Sequence, residues 1–219
     1  MRNLLFVLAF LGALAPSVAR GQDLADLDYD HLKFRGFGLD WGYLYPTRVD
    51  RTGSFGLRFD MGYAGPGLRI VPNVTYWRSP LDQKEVTRLQ DRIAGLVADQ
   101  TGGPPPNLNL GKIDWTDVAV GVDGHIVWHT PFALLTYGGL GVAAHFLNGS
   151  SAFNGTIIDD LLDSVTAGFN LHFGAEYPLN DRFRIYSLAK YEVLSDLQYL
   201  TVRVGWQVMT GPNAPGEGR

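Results

Sequence analysis

His125 and His129 have the spacing H-x-x-x-H, which on a helix sets two imidazoles on one face to share a zinc ion. Their surroundings give a different period. Val118, Val120, Val122, Ile126 and Trp128 alternate with Asp117, Gly121, Asp123, His125 and His129, so the segment reads as a strand. At ~3.3 Å per residue the two histidines then stand about 13 Å apart, too far for one metal. Gly139-Leu140-Gly141-Val142-Ala143-Ala144 imitates a dinucleotide fingerprint, but it lies inside another alternating stretch with no helix after it to receive a pyrophosphate. His145, Ser150, Ser151 and Asp159 include the residue types of a nucleophile, a base and an orienting acid, without a specific spacing. The chain has no cysteine, which removes thiolate catalysis, disulfides and cysteine metal sites. Asn148-Gly149-Ser150 and Asn154-Gly155-Thr156 match glycosylation sequons, which count only in a eukaryotic secretory route. The expectation is a protein with no enzyme activity, cofactor or metal.

The larger constellation emerges when alternating segments are sorted by parity. One face collects Asp40, Arg58, Asp60, Arg69, Asp117, Asp123, Glu176, Arg184, Lys190, Glu192 and Arg203, six acids and five bases. It also carries His125, His129, His145, His172 and ten glycines. The opposite face is apolar and uncharged, as in Phe169, Leu171 and Phe173, with Thr116, Thr136, Ser187 and Gln198 its mild polar exceptions. Enclosed together, the charges are expected to pair with one another, because an unpaired buried charge is costly. Their near balance speaks against a strongly ion-selective path.

Eight strands must position these residues: Gly36–Tyr45, Ser54–Tyr63, Leu68–Arg78, Trp115–His129, Phe132–Phe146, Thr166–Tyr177, Phe183–Val193 and Gln198–Met209. Tight turns at Ala64–Gly67, Thr130-Pro131 and Pro178–Arg182 alternate with longer links at Pro46–Gly53, Pro80–Asp114 and Leu147–Val165; the link at Ser195-Asp196 is short. Pro72 falls within the third strand and has no N–H to donate, which predicts a bulge or bend. Two long links carry helical patterns. Ser79-Pro80-Leu81-Asp82 reads as a helix start with Ser79 as N-cap, followed by an apolar stripe of Val86, Leu89, Ile93 and Leu96. Thr156 and Asp159 open a second, with Ile157, Ile158, Leu161, Leu162 and Val165 as its apolar face. These faces either pack on the barrel rim and each other or form a lid over a lipophilic ligand.

Residues 1–21 read as a cleaved signal peptide: Arg2, an apolar run from Leu4 to Ala15, then small residues to Gly21. Residues 22–35 follow as a leader, 36–209 as the barrel and 210–219 as a tail. The 219 residues carry a net charge of −4 and no basic run, so no nucleic-acid partner is expected. Only 18% of residues are charged, below the ~25% usual in soluble domains. Two environments suit the apolar face. In a soluble, lipocalin-like barrel it would point inward, but the interior of an eight-stranded barrel is too small for so many aromatics. Ten glycines would also weaken a solvated face without gain. In a membrane barrel it meets lipid, and aromatics gather where interfacial belts belong: Phe37, Tyr63, Trp128, Phe132, Tyr177, Phe183 and Trp206 at the short-turn end, and Tyr43, Tyr45, Phe55, Tyr76, Phe146 and Tyr191 at the long-loop end.

With these faces, the unequal loops and Arg203-Val204-Gly205-Trp206-Gln207-Val208-Met209 as a final strand, the chain from Gly36 to Met209 resembles the small outer-membrane barrels of the OmpA/OmpX type. The resemblance implies an all-β, closed, antiparallel up-and-down eight-stranded transmembrane barrel in a Gram-negative outer membrane, with the two helices in extracellular loops. In that family the last strand often ends in an aromatic assembly signal; here the chain continues through Thr210 to Arg219. The expected role is structural support and surface display with a salt-bridged lumen. A lipophilic ligand beneath the loop helices is the alternative, and a lipid A acylase or deacylase is third. The expected partners are outer-membrane lipids, with an extracellular ligand or surface partner reached through the long loops, and the expected state is a monomer.

Overall fold

The computed structural model describes residues 32–65, 67–107, 109–130, 134–150 and 164–211. Eight antiparallel strands close into a barrel in chain order, with β1 paired to both β2 and β8. They are β1 (Leu32–Pro46), β2 (Thr52–Gly62), β3 (Leu68–Pro80), β4 (Asp114–His129), β5 (Leu135–Ser150), β6 (Ser164–Pro178), β7 (Phe183–Val193) and β8 (Gln198–Met209). Among the described residues one helix, α1 (Gln83–Thr101), stands between β3 and β4. The up-and-down topology read from the alternation is the observed one. The signal segment 1–21, most of the leader and the tail from 212 lie outside the described residues.

Several boundaries move. β1 starts at Leu32, within the segment expected as leader, and β5 is described from Leu135, Phe132 lying outside the described residues. β5 also continues to Ser150, through residues expected as loop, because Leu147–Ser150 pair with Asp114–Asp117 of β4. A partner strand satisfies backbone groups whose fate the local sequence does not show.

The irregularity predicted at Pro72 lies on the β2 side. The β2–β3 ladder runs from Ser54↔Trp77 to Arg58↔Asn73 and stops beside Pro72. The next pairing is the bridge Tyr63↔Arg69, so four residues of β2 (Phe59 to Gly62) face three of β3 (Ile70 to Pro72), a bulge. On the other side β3 stays in register with β4 through Pro72↔Val122.

α1 starts later than expected. Ser79 and Pro80 complete β3, with Pro80 opposite Asp114 and Ser79 Oγ donating to the Asp50 carbonyl at 2.7 Å. The N-cap is therefore Asp82, whose Oδ1 accepts from the Lys84 N–H at 2.9 Å. Gly102 closes the helix in the left-handed region (φ 66°), donating to the Ala98 carbonyl. The second expected helix, with Ile158, Leu161 and Leu162, lies outside the described residues. Val165, expected on its apolar face, is instead an exposed residue of β6.

The distribution of side chains is inverted relative to a soluble barrel. Leu171 and Val204 on the outer wall are 58% and 59% exposed, whereas Asp117 and Glu176 inside are 0% exposed. Outward positions on every strand expose large apolar groups, among them Trp41, Phe55, Tyr76, Val120, Val142, Leu171, Ile185 and Trp206. A continuous apolar exterior of this kind has no aqueous rationale. Glycines let the lumen fill with longer side chains. A Cβ at Gly56 would lie 2.2 Å from Asp40 Oδ1, and one at Gly174 2.4 Å from the Tyr137 hydroxyl.

Candidate functional site in the barrel lumen

Because strand residues alternate, each strand delivers inward every second residue, and the closed register brings side chains distant in sequence together. All twelve residues of the expected lumenal network (Asp40, Arg58, Asp60, Arg69, Asp117, Asp123, His172, Glu176, Arg184, Lys190, Glu192 and Arg203) are buried inside the barrel.

In the short-turn half the organising group is Glu176 of β6. Arg58 (β2) donates to its Oε1 at 2.7 Å, and Arg69 (β3) reaches both oxygens, at 2.6 and 2.9 Å. Arg184 Nη1 (β7) lies 3.6 Å from Oε2. Arg69 and Arg35 also approach Asp60, at 3.6 and 4.0 Å. Arg58 donates to Gln207 as well, and its guanidinium stacks 3.3 Å from the centre of the Tyr186 ring. Gln207 in turn donates to Asp60 at 3.3 Å. Planar guanidinium forks suit such multiply bridged carboxylates.

Midway along the axis stand two nearly balanced pairs. Lys190 donates to Asp123 at 2.6 Å, and Arg203 lies 3.1 Å from Asp40, which also accepts the Tyr186 hydroxyl at 2.8 Å. A cavity lined by Asp40, Arg58, Asn73, Asp123, His125, Lys190 and Arg203 has room for about one water.

Toward the long-loop end, His145 stands between two carboxylates. Its Nδ1 is 2.9 Å from Asp117 and its Nε2 3.4 Å from Glu192. The Tyr199 ring lies edge to face against His145 on one side and against Trp77 on the other. Above them an apolar cluster fills the mouth: Leu44, Trp77, Leu81, Val86, Leu110, Ile113, Leu147, Leu194, Leu197 and Tyr199. Val86 anchors α1 in this cluster and Leu89 and Ile93 pack against it, but Leu96, the last residue of the expected stripe, is 58% exposed. The helix thus rests on the rim by its first half.

Asp123, His125 and His172 place metal-type ligand atoms within 4.8 Å of one another. Two of the three are already engaged by other groups, while His172 Nε2 has no hydrogen-bond partner among the described residues. Arg69 Nη2 lies 3.1 Å from His125 Nδ1 and can only donate, so Nδ1 uses its lone pair and the proton sits on Nε2. Asp123 is taken by Lys190 and by Asn170 Nδ2, at 3.1 Å. That amide orientation turns Asn170 Oδ1 toward His172 Nδ1, 2.8 Å away. The cluster already holds a cation, the ammonium of Lys190. His145, the candidate base beside Ser150, Ser151 and Asp159, has both ring nitrogens facing carboxylates inside the barrel, which removes it from that role; Ser151 and Asp159 lie outside the described residues.

Sequence reasoning missed several members of the network. Arg35 falls in the expected leader, yet it is buried and adds a sixth base opposite six acids. Gln207, Tyr137, Tyr186, Trp77 and Tyr199 are also buried inward. Parity with Arg69 for Trp77, with His145 for Tyr137, with Arg184 for Tyr186 and with Arg203 for Tyr199 and Gln207 was the available signal, whereas Arg35 lies at a register shift of β1 that parity does not follow.

No family model and no curated protein matches the sequence. Solved structures match the shape. Neisserial surface protein A (NspA) superposes with a TM-score of 0.52 at 12% identity, over 80% of this chain and 97% of that one. The chain has the fold of the small outer-membrane β-barrels. Ail, the attachment invasion locus protein of Yersinia pestis, gives 0.48 at 10% identity over 81% and 99% of the two chains. A major outer membrane protein from Thermus thermophilus gives 0.47 at 12% identity over 80% and 99%. The small outer-membrane barrel fold accounts for the apolar exterior and the charged interior in one arrangement.

Proposed function

We propose that this chain is an integral outer-membrane barrel, monomeric, closed along its axis by its own ion pairs, with a structural role and a surface-display role for the α1 end. The observation that carries the reading is the inverted wall: Leu171 and Val204 outward and exposed, Glu176 and Asp117 inward and fully buried. Lipid is the solvent that suits the first set, and paired burial suits the second. With short turns toward the periplasm, the long loops and α1 face outward from the cell. Two features favour display over a ligand lid or an enzyme. The mouth beneath α1 is occupied by Val86, Leu110, Ile113 and Leu197 rather than left as an apolar pocket. His145 is held by Asp117 and Glu192 instead of facing a nucleophile.

The test is refolding of the mature chain in detergent, followed by comparison of unboiled and boiled samples on a gel and by reconstitution in a planar bilayer. The reading expects a heat-dependent mobility shift and no steady conductance. Equal mobilities, or a folded monomer in plain buffer, would overturn the membrane assignment; a steady open channel would overturn the closed lumen.

A further inference from the structure

The six acids and six bases of the lumen balance as a whole but not along its axis. Arg35, Arg58, Arg69 and Arg184 gather in the short-turn half, where Asp60 and Glu176 are the inward carboxylates among the described residues. At mid-height Lys190 faces Asp123 and Arg203 faces Asp40. Asp117 and Glu192 share the long-loop half with His145. Four guanidinium groups therefore meet two described carboxylates at the short-turn end.

The strand positions put this excess at the rim. Arg69 and Arg184 are the second residues of β3 and β7, and Arg35 is the fourth of β1. Arg184 reaches Glu176 at 3.6 Å and Arg35 reaches Asp60 at 4.0 Å, both beyond hydrogen-bond length. Arg35 also lies 5.3 Å from the centre of the Tyr63 ring. All four arginines are 5% exposed or less, so water does not compensate them, and burying net charge is costly. The exposed charges of the same end, Lys33, Asp181 and Arg182, add a further positive charge. The counter-charge has to come from elsewhere in the chain.

The leader carries it. Between Gln22 and His31 stand Asp23, Asp26, Asp28 and Asp30, with no Lys or Arg. This segment runs directly into β1, whose Leu32 pairs with Gly62 at the short-turn end. The nine residues from Asp23 to Leu32 span at most about 30 Å, which keeps all four carboxylates within reach of the rim. Asp159, Asp160 and Asp163 belong to the link between β5 and β6 at the opposite end, and Glu217 in the tail is matched by Arg219.

We propose that the acidic leader, Asp23 to Asp30, docks on the short-turn mouth of the barrel and supplies carboxylates to the arginine rim at Arg35 and Arg184. Carboxylates suit guanidinium forks in bidentate fashion. This goes beyond the role proposed above and needs the barrel and its register, not the membrane reading.

The test uses the chain beginning at Gln22, refolded in detergent. Chymotrypsin cleavage of the leader after Leu24, Leu27 and Tyr29 is followed by mass spectrometry. Each rate is divided by that of the free leader peptide of the same sequence at the same salt. At about 10 mM salt the leader should be cut about tenfold more slowly than its peptide, as two ion pairs at the upper end of the usual range would give. The protection should vanish at about 1 M salt, where the screening length falls to about 3 Å. It should also vanish when Asp23, Asp26, Asp28 and Asp30 are all changed to Asn, a variant that leaves the barrel wall untouched, and in Arg35→Gln with Arg184→Gln. Removing residues 212–219 should leave it in place. A leader cut as fast as its peptide at low salt, protection undiminished at high salt or in the four-Asn variant, or protection lost with the tail would overturn the docking. A heat-dependent gel shift on each sample separates this from the barrel itself: if the shift is present and the protection absent, only the docking fails.

Discussion

Glu176 offers the sharpest measure of the lumenal network. Glu176→Gln conserves volume and removes the one negative charge that Arg58 and Arg69 approach at 2.6–2.9 Å and Arg184 at 3.6 Å. The site is fully buried, so water cannot take over as counter-charge. Removing one partner of a buried pair costs about 3–5 kcal/mol, because the other charge is left uncompensated. Asp60, 3.6 Å from Arg69, keeps part of the compensation, which places the expected loss near the lower end, about 3–4 kcal/mol. The assay is urea unfolding of the barrel refolded in lipid vesicles, followed by tryptophan fluorescence, with the free energy taken from the midpoint and slope. A paired substitution gives the sign test. Glu176→Met with Arg69→Met removes a cation along with the anion, so it should cost less than Glu176→Met alone. A Glu176→Gln barrel within about 0.5 kcal/mol of the parent, or a double variant weaker than the single one, would refute the argument that paired burial holds this lumen together.

Four further outcomes follow from the same structure. Leu171→Arg, on the outer wall, should destabilise the barrel in vesicles by about 2–4 kcal/mol, the cost of a cation at the bilayer midplane; a change near zero in the urea titration would mean that Leu171 does not meet lipid. Gly56→Val should cost about 1–3 kcal/mol by overpacking, because its Cβ would lie 2.2 Å from Asp40 Oδ1 and 2.5 Å from Arg203 Nη1. By contrast Gly95→Ala in α1, where a Cβ meets nothing within 4 Å, should stabilise the helix by about 1 kcal/mol, and circular dichroism of both variants distinguishes the two signs. Asp82→Ala removes the acceptor of the Lys84 N–H and should weaken α1 by about 1 kcal/mol, seen as faster hydrogen exchange over its first turn with the barrel unchanged.

Much of the architecture was legible one strand at a time. Alternation is a property of neighbouring residues, so the stripe of Phe169, Leu171 and Phe173 against Asn170, His172 and Glu176 already separated two environments. The same logic placed Pro72 at an irregularity, because a missing N–H is a local fact, and α1 in the third link, because Val86, Leu89 and Ile93 recur with helical period. Boundaries were less legible. Ser79 reads as an N-cap but completes β3, and Leu147–Ser150 reads as loop but pairs with β4, since in each case a partner strand overrides the local preference.

What the sequence determined by itself is therefore the two faces, the number of strands and the sign of each charge on the inner face. Only the tertiary structure decided which charges meet. Glu176 gathers arginines from β2, β3 and β7; Lys190 occupies Asp123, where a metal would otherwise be sought; Arg35 leaves its leader for the lumen. The physical reason is reach. Period two is written within a single strand, whereas a lumenal contact depends on how eight registers accumulate around the closed wall, and the bond from Arg58 to Gln207 joins residues 149 positions apart.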